Sequence, residues 1–265
     1  AGSRTATYTA LHGASGGLLA AVADMDILRD ISPEYVAEHT DVLRAAPVVV
    51  CDANVRADTL RAVAAIAADA PGGGVPLWLE PVSVPKAAAL TAALGSLSAF
   101  AFISPNEDEA IAMAAALGGD AAARVPGPCA ADGCSDLTVR AAAATLVRAG
   151  ATHVVVTRGA RGVLWGRAAA SAESPADCES GACFEEFPAR PVRVVDTRGA
   201  GDSLVAGAVW GLLRAALEDL SSGVAGEAGR RLLTQSAAVR AAIGAGMHAA
   251  QLTLETTAAI SDRLP

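Results

Sequence analysis

The sequence predicts an α/β protein built on a largely parallel sheet covered by helices, and three observations carry that prediction. Short apolar, β-branched runs bounded by turn residues alternate with longer segments of helical periodicity. A glycine-rich stretch, DTRGAGDS (196–203), stands where an apolar run gives way to a long Ala/Leu/Val segment, as at a strand-to-helix junction. The chain, at 265 residues, is long enough to bury a sizeable core without a second domain.

Taken in order, TATYTALHGASGGLLAAVADMD opens as a β-hairpin, Thr5 to His12 and Leu18 to Ala23 turning at Gly13 to Gly17, placed like a lid ahead of the first α/β unit. Strands are expected at Val48 to Cys51, Val75 to Leu79, Ala99 to Ile103, His153 to Thr157 and Val192 to Val195. Helical patterns fill Pro33 to Ala45, Ala57 to Asp69, Glu107 to Leu117 and Asp136 to Arg148. Gly162 to Gly166 reads as a short strand turning back on the 153–157 strand, so part of the sheet is antiparallel. After 203, Leu204, Ala208, Leu212 and Leu213 recur at helical spacing, and helices at about 231–252 and 256–263 close the chain. Pro126 to Ser135 and Ala168 to Gly181, rich in Pro, Gly, Ser and Cys, read as surface insertions.

Composition narrows the function. A net charge of −8 without a Lys/Arg-rich run argues against nucleic-acid binding, because phosphate backbones are held by clustered cations. No apolar stretch approaches the roughly 20 residues of a membrane span, and no charged start followed by an apolar core marks a secretory signal. A cytoplasmic protein without a membrane partner is the expectation. Five cysteines, Cys51, Cys129, Cys134, Cys178 and Cys183, are an odd number spread over a long chain, unlike a small disulfide framework. The two C-x4-C pairs admit a four-thiolate zinc site, but without zinc-knuckle turns the reading is reduced thiols in surface insertions. Lys86 is the sole lysine: either a compact ammonium is needed there, or it survives by chance.

Ligands of open parallel sheets bind beyond the carboxyl ends of the strands, so the residues there are weighed together. SPNEDE places Asn106 and Glu109 three apart at a helix start, TRGARG supplies Thr157, Gly159 and Gly162, and DTRGAGDS supplies a glycine-rich helix start. An amide and a carboxylate able to order hydrated magnesium, a glycine turn and an anion-binding helix start suit a nucleoside triphosphate. Taken singly, these features also read as a helix cap, a hairpin turn and a tight turn with an aspartate at the helix dipole. Neither a G-x-x-x-x-G-K-[ST] loop nor a G-x-G-x-x-G after the first strand is present, which removes the usual P-loop and dinucleotide readings.

These motifs resemble those of the ribokinase-like (PfkB) carbohydrate and nucleoside kinases. VVDTRGAGDSLVAGAVWGLL looks like their C-terminal motif, SPNEDE their N-x-x-E motif, and VVVTRGARGV their nucleotide-contacting strand and turn, a match running from residue 5 onward. LAAVADMDILRDISPEY and WLEPVSVPKAAAL are similar to segments of pseudouridine kinases. The resemblance implies a three-layer α/β/α sandwich with a small β lid: residues 1–26 as part of the lid, residues 27–265 as the nucleotide-binding kinase domain. It implies ATP-dependent transfer of a phosphoryl group to a sugar hydroxyl, the 5′-hydroxyl of pseudouridine first. Ribose, adenosine or another sugar is the alternative acceptor, and a non-catalytic nucleotide-binding paralogue the alternative role.

Residue by residue, it implies that Asp202 is the general base and that the amides of Gly199, Ala200 and Gly201 form the anion hole. Asn106 and Glu109 would organise Mg2+ through water, while Thr157, Gly159 and Gly162 would contact ATP. Ala245 and Gly246 would leave room for adenine, and Lys86 would touch phosphate or substrate. Asp196 and the Arg198 carbonyl match positions that hold a monovalent cation, K+ among them, in several members. Arg198 stands where the motif usually has threonine, and since that position contributes its carbonyl, its side chain is expected to count for little. The family's upstream segment, with its first strands, an early substrate-binding aspartate and a Gly-Gly motif, has no counterpart here, so much of the sugar-binding half is expected to be missing. Alternating apolar residues along the hairpin suit pairing across a homodimer.

Overall fold

A computed structural model describes residues 4–12, 18–118, 134–168, 178–179, 181–221 and 235–264. Strands β1 (Thr7–His12) and β2 (Leu18–Asp24) form a separate antiparallel pair, with Thr7 opposite Asp24. The remaining strands are β3 (Val49–Asp52), β4 (Leu77–Glu80), β5 (Phe102–Ile103), β6 (His153–Thr157), β7 (Val163–Ala168), β8 (Cys178–Glu179) and β9 (Ala182–Phe187). They make one seven-stranded sheet in the order β3-β4-β5-β6-β7-β9-β8. Pairing is parallel from β3 to β6 and antiparallel beyond, as the turning-back of the 162–166 strand predicts.

Alternation along the strands divides the core into two layers. Leu77, Leu79, Ile103, Val154 and Val156 pack under α1 (Pro33–Ala37), α3 (Ala57–Ala68), α4 (Val84–Leu94), α5 (Glu107–Ala116) and α6 (Asp136–Arg148). Trp78, Phe102, Val155 and Trp165, their neighbours of opposite parity, pack under α7 (Ala200–Ser221) and α8 (Ser236–Leu254). Because successive strand residues point to opposite faces, the two clusters lie on opposite sides of one sheet, which makes the expected α/β/α sandwich. Trp78 stacks on Phe102 with ring centroids 4.7 Å apart, and Phe102 on His153 at 5.0 Å, so aromatic rings bridge three adjacent strands.

Several expectations are corrected. Val192–Val195 is not a strand: Val194 and Val195 are 55% and 47% exposed, and the Val195 N–H donates to the Leu254 carbonyl instead of to a ladder. The stretch 256–263 is a series of bends and turns in which the Thr256 hydroxyl accepts from the Ala258 N–H, competing with a helical ladder. The helix expected over 33–45 is two, α1 and α2 (Thr40–Ala45). They part at Glu38 and His39, where His39 Nδ1 lies 2.9 Å from the Tyr35 carbonyl and the Thr40 hydroxyl donates to Ala37. Helix α4, absent from the expected helices, starts with Pro85 in its first turn, where a missing N–H costs nothing. Strand β9 lies just after an expected surface insertion. Cys178 and Cys183 are not reduced thiols: they stand opposite each other on β8 and β9 and form a disulfide, and Cys134 is also disulfide-bonded. The hairpin tip at 13–17, most of the 126–135 and 168–181 insertions, and Cys129 lie outside the described residues.

Candidate active site

The carboxyl ends of β3 to β6 converge on a cleft of about 1180 Å3, closed on its far side by the start of α7. Asp52 ends β3 and Asn54 follows it, Glu80 ends β4 and Val82 follows it, Ser104, Asn106 and Glu109 follow β5, Thr157 ends β6, and Gly201 and Asp202 face them. The residues singled out as Asn106, Glu109, Thr157, Gly201 and Asp202 therefore share one cavity although 96 positions separate the first from the last.

Asn106 and Glu109 realise the capping reading in full. The Asn106 side-chain oxygen accepts from the Glu109 N–H at 2.9 Å, and the Glu109 carboxylate accepts from the Asn106 N–H at 2.9 Å. This fixes both side chains at the N-terminus of α5 while the Asn106 side-chain NH2 and Glu109 Oε1 take no part in the box. Glu109 is buried, and burial raises its carboxyl above the ordinary range. A bridge pairs Asn106 with Thr157, whose N–H donates to the Pro105 carbonyl at 2.9 Å. Arg158, its side chain 3% exposed, ties the 157–162 turn to α5 and α6 through Glu107 and Asp136. The 106–109 and 157–162 segments are thus joined to each other.

Glu80, Ser104, Asp52 and Asn54 were not singled out from the sequence. The buried Trp78 indole donates to the Ser104 hydroxyl at 2.7 Å, which donates in turn to Glu80 Oε2 at 2.6 Å. The chain aims a carboxyl into the cleft from the end of β4. Burial is the main reason the Glu80 carboxyl is pushed up to about 7; hydrogen bonds from Ser104 and the Val82 backbone oppose the shift, and Glu109 and Asp202 add to it. Val82 has φ 68°, and the Ser83 N–H donates to the Pro81 carbonyl at 2.8 Å, a tight three-residue turn that a β-branched residue enters only under strain. A signal for Glu80 is legible in retrospect, since WLEP puts a carboxylate at the carboxyl end of an apolar run.

At the start of α7, Gly199 has φ 73°, and a Cβ there would lie 1.8 Å from the Ala259 carbonyl oxygen. Its smallness is required by the turn and by the closing segment packed on it. Gly201 is different: a Cβ would meet nothing within 4 Å, so the open space beside the first turn of a 22-residue helix suits an anion at the helix N-terminus. Gly159 likewise faces open space, whereas a Cβ at Gly162 would strike the Phe187 carbonyl at 1.9 Å.

Lys86 lies outside the lining, in the first turn of α4. Its ammonium donates to the Asn54 side-chain oxygen, and Asn54 in turn donates to both oxygens of Asp52, at 2.9 and 2.7 Å. Ala245 and Gly246 are also outside the lining. A Cβ at Gly246 would sit 2.4 Å from the Leu204 carbonyl, so the close packing of α8 on α7 by itself requires a glycine there. Asp196 and Arg198 form an ion pair on the approach to α7.

Among the described residues, no group of three or more His, Cys, Asp or Glu side chains could hold a metal ion. Magnesium is compatible with that, since it binds through one or two carboxylates together with phosphate oxygens and water, and Glu109 is placed to take part. Among the described residues, no helix is long and apolar enough to cross a membrane.

Comparison with known proteins follows the same lines. The family described as "pfkB family carbohydrate kinase" matches residues 4–265. Pseudouridine kinase of Arabidopsis thaliana is 32% identical over 114 residues, which are 43% of this chain and 29% of that protein. Pseudouridine kinase of Escherichia coli is 34% identical over 85 residues, 32% of this chain and 26% of that protein. The matched stretches are thus under a third of the curated relatives' length. The structure of Arabidopsis thaliana ribokinase complexed with ribose and ATP superposes with a TM-score of 0.63 at 17% identity, covering 98% of this chain and 67% of that one. At that identity the likeness establishes the fold.

Proposed function

The chain belongs to the pfkB family of carbohydrate kinases, and on that footing we propose that it transfers the γ-phosphoryl group of ATP to a sugar hydroxyl, the 5′-hydroxyl of pseudouridine. The observation that carries this reading is the placement of Asp202 and Gly201, at the N-terminus of α7, across one cleft from Asn106, Glu109 and Thr157. Such a cleft has an anion-binding helix start and a carboxylate base on one wall, and metal- and phosphate-ordering groups on the other.

In this mechanism Asp202 accepts the proton of the acceptor hydroxyl as that oxygen attacks the γ-phosphorus. The bond to the β–γ bridging oxygen breaks and ADP leaves. The amides of Gly199, Ala200 and Gly201, with the dipole of α7 behind them, hold the charge that spreads over the transferring oxygens. The open side of Gly201 supports this role; the constrained Gly199 supports a positioning role as well. Thr157 and Gly159 lie on the nucleotide side, tied to α5 by Arg158. Glu109, with Asn106, would hold magnesium through its water shell, and the ion would supply neutralisation of the phosphate charge.

The acceptor sits over the ends of β3 and β4, where Asp52, Asn54 and Glu80 form a polar wall and Lys86 holds Asn54 from behind. Pseudouridine is favoured over other sugars because the two curated relatives carry that activity in their names, and because the similar segments include the one bearing Lys86. The β1–β2 pair is proposed as lid. Acceptor-dependent ADP release, measured with pseudouridine, uridine, ribose and adenosine at fixed MgATP, tests the proposal. Highest kcat/KM for pseudouridine is expected; preference for another acceptor would replace the substrate, and no acceptor-dependent release would leave nucleotide binding alone.

A further inference from the structure

We propose that the Arg198 guanidinium serves as a built-in cation at the position where several members of the family hold a monovalent ion, so that this chain needs no potassium. The inference rests on reading 196–203 as the transfer turn. A potassium site there requires Asp196 to offer its carboxylate to an incoming ion, and the geometry does not fit that requirement. Asp196 Oδ2 accepts from Arg198 Nε at 2.9 Å and from a terminal guanidinium nitrogen at 2.5 Å, while Oδ1 accepts from the Arg198 backbone N–H at 2.9 Å. Both oxygens are occupied by one residue two positions along.

The same guanidinium reaches further, to the closing segment, where a terminal nitrogen lies 3.4 Å from the Thr257 carbonyl oxygen. It therefore bridges the carboxylate that opens DTRGAGDS and a carbonyl of the closing segment, the segment whose Ala259 carbonyl packs on Gly199. A single positive charge joining a carboxylate and a carbonyl across a turn is the task of a bound monovalent cation; a planar fork of N–H donors performs it with a covalent tether. A potassium ion placed on Asp196 would also stand against a like charge at contact distance. On this proposal the side chain at 198 has a role, where the resemblance implies that only its carbonyl does.

The test compares the unaltered chain with Arg198→Thr and with Arg198→Met, which keeps much of the apolar stem should the threonine variant fold poorly. Melting temperature and ADP release are measured in potassium, sodium and tetramethylammonium chloride at constant ionic strength. The unaltered chain is expected to show the same melting temperature and the same turnover in all three. Arg198→Thr is expected to melt lower in tetramethylammonium and to recover saturably in potassium, by about 3 °C or more. A potassium requirement in the unaltered chain, or indifference of both variants to potassium in the melt, would overturn the inference. The melting readout needs no turnover, so a chain without kinase activity would count against the proposed reaction and leave this result to stand or fall by itself.

Discussion

Glu80 shares the cleft with Glu109 and Asp202, and its protonation links the chemistry of the site to the stability of the fold. Its carboxyl is raised from the ordinary 4.5 to about 7, chiefly by burial. Below the lower value both folded and unfolded chains hold the proton; between the two the unfolded chain releases it while the folded one keeps it. Stability contributed by Glu80 is therefore full at low pH and falls as pH rises through the window from 4.5 to about 7. Urea midpoints measured across that window should decline with pH in the unaltered chain and decline less in Glu80→Gln; equal slopes would remove Glu80 as the cause. Lys86 makes a second prediction at this scale. Its ammonium is fixed by Asn54, itself fixed by Asp52, so Lys86→Ala should lower kcat/KM for the acceptor about tenfold, the size of a lost charge-assisted hydrogen bond. The melting temperature should move little, and a loss of folding without that kinetic change would make the lysine structural. Asp202 stands out by motif and Lys86 by composition; the structure puts Asp202 in the cleft and Lys86 outside its lining. Glu80 and Asn54 were not legible, because a carboxylate after an apolar run and an amide in a loop acquire meaning only when the strands bring them together.

The pairing of α7 with α8 decides how the glycines of both helices are understood. A Cβ at Gly207 would approach Ala249 Cβ to 2.7 Å, one at Gly211 would approach Ala242 Cα to 2.9 Å, and Gly246 meets the Leu204 carbonyl. Alanine is the better helix former, by about 1 kcal/mol. At Gly246 the clash is with backbone, which cannot rotate away, so Gly246→Ala is expected to cost about 1–3 kcal/mol by overpacking. Chemical denaturation checks this, and an unchanged or raised stability would return Gly246 to the reading in which its smallness serves a ligand. Elements with long periodic patterns, such as α3 and α6, were legible almost to their ends. Val192–Val195 was misread because β-branched residues suit a strand only where a neighbour supplies a ladder, and here the Leu254 carbonyl takes the bond. The β8–β9 pair was missed because β8 is only two residues long and β9 sets Glu185 and Glu186 between Phe184 and Phe187, directly after a polar insertion, so that no alternating apolar stripe marks it.

At the scale of the molecule, the layering follows from sequence parity. Leu77 and Leu79 face one helical layer and Trp78 the other, so a cleft forms where the sheet's carboxyl ends meet the start of α7. That much was legible because the sheet-end rule joins distant motifs without knowledge of side-chain contacts. The polar groups over β3 and β4, the proposed seat of the acceptor, were less so, since they gain their arrangement from hydrogen bonds that no spacing announces. The central claim is that Asp202 takes the acceptor proton during transfer from ATP. Phosphorus NMR of the reaction with pseudouridine, alongside calorimetric MgATP binding, tests it in the unaltered chain and in Asp202→Asn. The prediction is a growing phosphomonoester signal for the unaltered chain, a rate lower by about 100-fold or more for Asp202→Asn, and undiminished nucleotide binding in both. A phosphomonoester formed at the same rate by Asp202→Asn would contradict the assignment.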